Sequence, residues 1–228
     1  MQKQFPTSTD RRQFIKHASI IAAAFPLLPI ALLNMAGCAT EKGHASSETS
    51  RVVVEDGCEW CGANDAPASL SWKTEIAPAN EPGDSLIISG RVFQPDGITP
   101  ASGILLYVYH TDANGYYSKN GKEYGNGRRH GRLRGWMRTN NDGRYEFRTI
   151  KPAPYPNRVD PAHIHITVSG PGYPEYWIDD YWFEGDPRIT DQMRVGRPKR
   201  GGFSPIISPK RDEKGVLIGV RNIKLEKL

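Results

Sequence analysis

Pro161-Ala162-His163-Ile164-His165-Ile166-Thr167-Val168-Ser169 alternates with period two. As a strand it sends Ile164, Ile166 and Val168 to one face and both histidines to the other, so one face packs and the other binds. The preceding run, Lys151-Pro152-Ala153-Pro154-Tyr155-Pro156-Asn157-Arg158-Val159-Asp160, carries three prolines, and Pro161 is a fourth. Each fixes φ, removes a backbone donor and biases its predecessor toward extended backbone. The run therefore reads as a rigid approach that sets Tyr155 relative to the histidine strand.

The same β pattern recurs outward from this stretch. Leu86 to Phe93, Gly103 to His110, Gly143 to Ile150, His163 to Ser169 and Val216 to Leu225 are short, branched and aromatic. Turn signals separate them: Pro95-Asp96-Gly97, Asn114-Gly115, Asn141-Asp142-Gly143 and Gly170-Pro171-Gly172. With no long amphipathic helix, the pattern predicts an all-β fold, a β-sandwich of mostly antiparallel strands in a single domain over residues 84–228. Residues 53–83 are irregular in pattern, and read as a clip lying across that domain, held by the pair Cys58 and Cys61.

Within 228 residues, 38% apolar with 23 Gly and 18 Pro, there is room for one sizeable core and many turns. Residues 1–37 read as an export signal: Arg11-Arg12-Gln13-Phe14-Ile15-Lys16, then an apolar stretch from Ala18 to Leu33. The arginine pair resembles a twin-arginine signal, and Met35-Ala36-Gly37-Cys38 resembles a lipoprotein cleavage box with Cys38 as the lipidated residue. An uncleaved anchor is the competing reading, although Pro26 and Pro29 interrupt a run shorter than the about 20 residues of a spanning helix. The expected location is the periplasm or cell surface, with residues 38–52 as a flexible tether and membrane contact only through the lipid. Losing Lys3, Arg11, Arg12 and Lys16 against Asp10 lowers the net charge from +5 to +2. No nucleic-acid module appears, so nucleic acid is not an expected partner. In an oxidising compartment Cys58-Glu59-Trp60-Cys61 closes a tight disulfide or acts in redox exchange.

Two histidines and one tyrosine need a fourth donor, and Tyr109-His110-Thr111-Asp112-Ala113-Asn114-Gly115-Tyr116-Tyr117 offers it, because Gly115 turns the chain and presents a tyrosine. Two tyrosines with two histidines are a hard, partly anionic set, which favours a trivalent ion over zinc. Ferric iron, Fe(III) in a non-haem site, is the natural occupant, since a bound cation removes the tyrosine proton at neutral pH.

These residues resemble an intradiol ring-cleavage dioxygenase, closer to the protocatechuate 3,4-dioxygenase subunits than to the catechol 1,2-dioxygenases. The resemblance rests on Gly115-Tyr116-Tyr117, Phe147-Arg148-Thr149-Ile150-Lys151-Pro152-Ala153-Pro154-Tyr155-Pro156, Pro161-Ala162-His163-Ile164-His165 and Phe183-Glu184-Gly185-Asp186-Pro187. It covers roughly residues 84–190. It implies Tyr117, Tyr155, His163 and His165 as iron(III) ligands, and it alone selects Tyr117 over Tyr116. The implied reaction takes a catechol-type diol and O2 to a muconate-type diacid, with Tyr155 leaving the metal to act as base. A homo-oligomer is compatible with the resemblance.

One position departs from the family pattern. Three residues before the first histidine the protocatechuate enzymes carry an arginine that stabilises charge on the ring, and Asp160 stands there. Arg158 is the candidate for that catalytic role, with Asp160 left to orient a histidine or bind another substrate group. The alternative function is an exported, iron-containing β-sandwich that binds aromatics or catecholates with little or no ring cleavage. Arg128, Arg129, Arg132 and Arg134 either rim the pocket or sit on a solvated surface loop, with some positions pairing with Asp179, Asp180 or Glu184. Trp136, Trp177, Tyr181 and Trp182 either wall the pocket or pack in the core. His110 and Asp112 either hydrogen-bond around Tyr117 or serve as satisfied structural groups.

Overall fold

The computed structural model describes residues 62–156, 159–195 and 199–227. The expected export signal, the tether and all three cysteines lie outside these residues, as does Arg158. No helix among the described residues is long and apolar enough to cross a membrane.

After a 3-10 turn at Gly62–Asp65 come β1 (Lys73–Glu75), β2 (Ser85–Phe93), β3 (Leu105–His110), α1 (Gly127–His130), β4 (Arg134–Arg138), β5 (Arg144–Ile150) and β6 (His163–Gly170). Then follow β7 (Tyr173–Trp177), β8 (Tyr181–Phe183), α2 (Asp191–Val195), β9 (Ile206–Ile207), β10 (Lys210–Arg211), β11 (Leu217–Val220) and β12 (Ile223–Lys224). The strands form two sheets, β1-β5-β2-β11-β10 with β12 also beside β2, and β4-β3-β6-β8-β9 with β7 also beside β6. The long ladders, β2 with β5 and β3 with β4 and β6, are antiparallel. This is the expected β-sandwich.

Between the sheets, Leu86, Ile88, Val92, Tyr145 and Phe147 meet Leu106, Val108, Ile164, Ile166 and Val168, all wholly buried. Burying such side chains stabilises by about 1.5–3 kcal/mol each, so the pleat of β6 cannot be inverted without a large loss. The alternation in the histidine stretch therefore holds as read, with the imidazoles on the outer face.

Two expectations about the chain's ends change. The stretch expected to be irregular before residue 84 supplies β1, which runs parallel to β5. The single strand expected from Val216 to Leu225 is broken at Arg221, into β11 and β12, both parallel to β2. The break has a cause: the backbone at Arg221 crosses β2 so closely that a Cβ on Gly90 would lie 1.8 Å from the Arg221 carbonyl oxygen. That oxygen accepts a hydrogen bond from Tyr145 (2.7 Å), and the buried Arg221 guanidinium lies 4.5 Å over the ring of Tyr181.

Candidate metal centre

His163 and His165 project from the outer face of β6 with their Nε2 atoms 3.1 Å apart. Their Nδ1 atoms face away and fix the tautomers. His163 Nδ1 lies 2.7 Å from the Pro161 carbonyl, which can only accept, so it donates. His165 Nδ1 lies 3.0 Å from a carboxylate oxygen of Asp180 and donates likewise. Both Nε2 lone pairs are thus turned to one point, with the outer hydrogen bonds holding the ring planes.

Tyr117 and Tyr155 bring their hydroxyls to the same point. The two oxygens are 2.5 Å apart, Tyr117 is 2.9 Å from His165 Nε2, and Tyr155 is 3.1 Å and 3.2 Å from the Nε2 atoms of His165 and His163. Such spacings are close to the edges of a coordination shell with bonds of about 2.0–2.1 Å. The donor set thus fits a single small ion. Burial raises the Tyr117 and Tyr155 hydroxyls above the usual phenol range, and lowers His163 below the usual imidazole range, with His165 as the next cause. A bound cation favours the tyrosinates instead.

Each tyrosine sits on a loop, and the two loops are tied together. Asp112 accepts hydrogen bonds at its side chain from the backbone of Asn114 and Tyr116, and its own N–H donates to the Tyr116 carbonyl. This closes the turn that carries Gly115 at φ +86° and presents Tyr117. A Cβ on Gly115 would stand 2.1 Å from the Pro154 carbonyl oxygen, so only glycine lets the turn lie against the proline loop. Ala153 N–H donates to Asp112 O (3.1 Å) and Thr111 Oγ1 donates to Ala153 O (2.7 Å). Tyr116 points outward and is 60% exposed, so of the adjacent pair Tyr117 is the one brought to the cluster.

Other expected groups fall differently. His110 faces the core, donating from Nδ1 to Thr111 O and accepting at Nε2 from Thr149. It supports the loops from behind and touches no donor. Asp160 is exposed and orients neither histidine, because Asp180 and the Pro161 carbonyl hold those positions. Arg132 pairs with Glu81, and Arg134 with Asp65, instead of the expected Asp179, Asp180 or Glu184. Glu184 pairs with Arg194. Among the four aromatic residues, Trp177 stands edge-on to His165 at 5.4 Å, whereas Tyr181 and Trp182 are buried and Trp136 stacks on Tyr107.

Sequence reasoning missed Asp180 and Tyr109. Tyr109 pairs with His165 across β3 and β6, stacks on its ring at 4.6 Å, and stacks on His130 at 3.8 Å on its other side. The signal for Tyr109 was its period-two position with Tyr107 in β3. For Asp180 it was two adjacent acids set between Ile178 and Tyr181 in an otherwise apolar run.

Residues 63–200 match the protein family described as Dioxygenase. The chain belongs to this family. It is 30% identical over 161 residues to catechol 1,2-dioxygenase 1 of Acinetobacter lwoffii, covering 63% of this chain and 48% of that protein. It is 32% identical over 144 residues to chlorocatechol 1,2-dioxygenase of Rhodococcus opacus (54% and 51% covered). It is 30% identical over 132 residues to the protocatechuate 3,4-dioxygenase beta chain of Burkholderia cepacia (51% and 52% covered). The chain spans about half the length of these relatives. Catechol-type and protocatechuate-type relatives stand at similar identity, so identity does not favour the expected nearness to the protocatechuate subunits.

Solved structures with the same fold include the dioxygenase domain of a dioxygenase–carbohydrate-binding fusion from Streptomyces sp. SirexAA-E. Its TM-score is 0.52 at 24% identity, with 71% of this chain and 92% of that chain covered. Catechol 1,2-dioxygenase from Acinetobacter sp. ADP1 superposes with a TM-score of 0.53 at 23% identity, covering 72% and 60%. The dioxygenase sandwich of this family is thus the fold described above.

Proposed function

We propose that the protein is a non-haem iron(III) intradiol dioxygenase, taking a catechol-type diol and O2 to a muconate-type diacid. The observation that carries this reading is the convergence of Tyr117, Tyr155, His163 and His165 on one point, with both histidine tautomers set by outer hydrogen bonds. Iron(III) held by that set would supply an electron-accepting centre for breaking the bond between the hydroxyl-bearing carbons, each of which gains one atom of O2.

In this reading His163, His165 and Tyr117 stay in place while Tyr155 moves. Burial raises the Tyr155 hydroxyl above the usual range. As a tyrosinate, its oxygen would be a strong acceptor for a diol proton. Tyr109 and Trp177 flank His165 and hold its ring in place. Arg158 remains the candidate for stabilising anionic charge on the ring, by its position in the sequence and the electrostatics of a guanidinium. Export to the periplasm or cell surface, with Cys38 lipidated, is proposed on the N-terminal pattern alone.

Iron loading followed by visible spectroscopy and oxygen uptake tests the reading. Tyrosinate bound to ferric iron absorbs visible light, so a protein that stays colourless after loading sinks it. A coloured protein that consumes no O2 with catechol, protocatechuate or hydroxyquinol is the aromatic-binding alternative. Arg158→Ala with unchanged turnover removes Arg158 from the mechanism.

A further inference from the structure

The outer face of the first sheet lies across the core from the donor cluster and holds a cleft of about 420 Å3. Its floor is the β2–β5 ladder at Gly90 and Tyr145, the ring of Tyr145 being turned into the core. Trp72 and Val220 supply apolar wall, Val220 being 64% exposed.

The charges in this cleft are unbalanced. The β2–β5 register sets Arg91 directly opposite Arg144 on the outward face, an arrangement in which like charges repel. Lys73 is neutralised by Glu146 at 3.1 Å. Arg144 reaches Asp142 only at 4.0 Å, with both side chains at least half exposed. Arg91 makes no ion pair among the described residues, although its side chain is partly buried. Two guanidinium groups thus share a notch that has an aromatic wall and lacks a carboxylate of its own to bridge them.

We propose that this cleft binds a ring bearing a carboxylate. The guanidinium groups of Arg91 and Arg144 take the carboxylate, for which a planar fork of donors is suited, and relieve their mutual repulsion in doing so. The ring lies against Val220 and beside Trp72, whose indole carries the Lys73 ammonium 4.5 Å from its centroid. An aromatic acid and a hexuronic acid unit of a polysaccharide share this chemistry. The site is separate from the metal centre and stands or falls independently of the proposed reaction.

Titrating the full chain with benzoate and with glucuronate tests it, followed through the Trp72 indole N–H resonance, which is identified by its loss in Trp72→Phe. A saturable shift with either acid is expected, the tighter one naming the source. Arg91→Ala and Arg144→Ala should each weaken it at least tenfold, and Arg91→Lys, which keeps charge without the fork, should fail to restore it. Circular dichroism and the visible band of the iron-loaded protein should be unchanged in these variants. The proposal is overturned by the absence of a saturable shift with both acids, or by unaltered affinity in the alanine variants. An equal response to sulfate or to benzyl alcohol also overturns it, since then only charge or only the ring is read.

Discussion

His163 and His165 reach the donor cluster from a strand whose opposite face is wholly buried, whereas Tyr117 and Tyr155 reach it from loops joined by one backbone hydrogen bond, the Thr111 hydroxyl and one glycine contact. The histidines cannot shift without moving Ile164, Ile166 and Val168 in the core. The tyrosines can shift by opening the contact between Gly115 and Pro154. On the proposed reaction this division would serve a site that keeps its strand-borne histidines and Tyr117 and releases Tyr155.

Removing a pleat-borne donor should do the most damage. His165→Ala deletes Nε2 and strands Asp180, so oxygen uptake should fall by more than the about 10–100-fold typical of losing an outer partner, and the visible band should disappear. Retention of band and turnover would show that His165 is not a donor.

The next effect belongs to His110, at the junction of β3 with the tyrosine loops. Burial pushes its pKa down to about 4 from the ordinary 6.5. Between these values the unfolded chain binds a proton that the folded chain does not, so stability is full above about pH 6.5 and declines as pH falls toward 4. The loss is on the order of 3 kcal/mol, readable by urea unfolding at pH 7 and pH 4.5. A His110 resonance that titrates in the folded protein near the ordinary value would contradict it.

Gly115→Ala strikes the loops alone. A side chain at φ +86° facing Pro154 should cost about 1–3 kcal/mol and separate the tyrosines, weakening the band while the sheet signal in circular dichroism persists. Equal loss of sheet and band would mean that loops and strand are not independent. Asp180→Asn should be mildest, about tenfold in iron affinity, since the amide keeps an oxygen acceptor for His165 Nδ1 and loses only the charge. Iron titration of the two proteins measures it.

Legibility in the sequence follows the same division. Strand periodicity carried the histidines, because alternation is local and the buried face enforces it. Gly115 was legible as a turn, but its second duty against Pro154 was not, since the two are far apart in the chain. β1 escaped notice because Lys73-Thr74-Glu75 is short and polar, and is a strand only through its pairing with β5. Asp180 lies fifteen residues beyond His165, and only the β6–β8 pairing returns it. The partners of Arg132 and Arg134 were not legible because Glu81 and Asp65 come from a segment without a recognisable pattern.

That segment sets where the chain can be cut. Gly62 lies over Tyr107 with no room for a Cβ, its carbonyl accepts the Trp136 indole N–H, Asp65 meets Arg134, and Ala63 N–H donates to Glu175. A chain trimmed to begin at Asp84 would uncover Tyr107, leave the partly buried Arg134 without its carboxylate and lose β1 from the edge of β5. The fold therefore needs the chain from at or before Gly62, and the face of the sheet that presents the histidines is completed by residues that precede the first long strand.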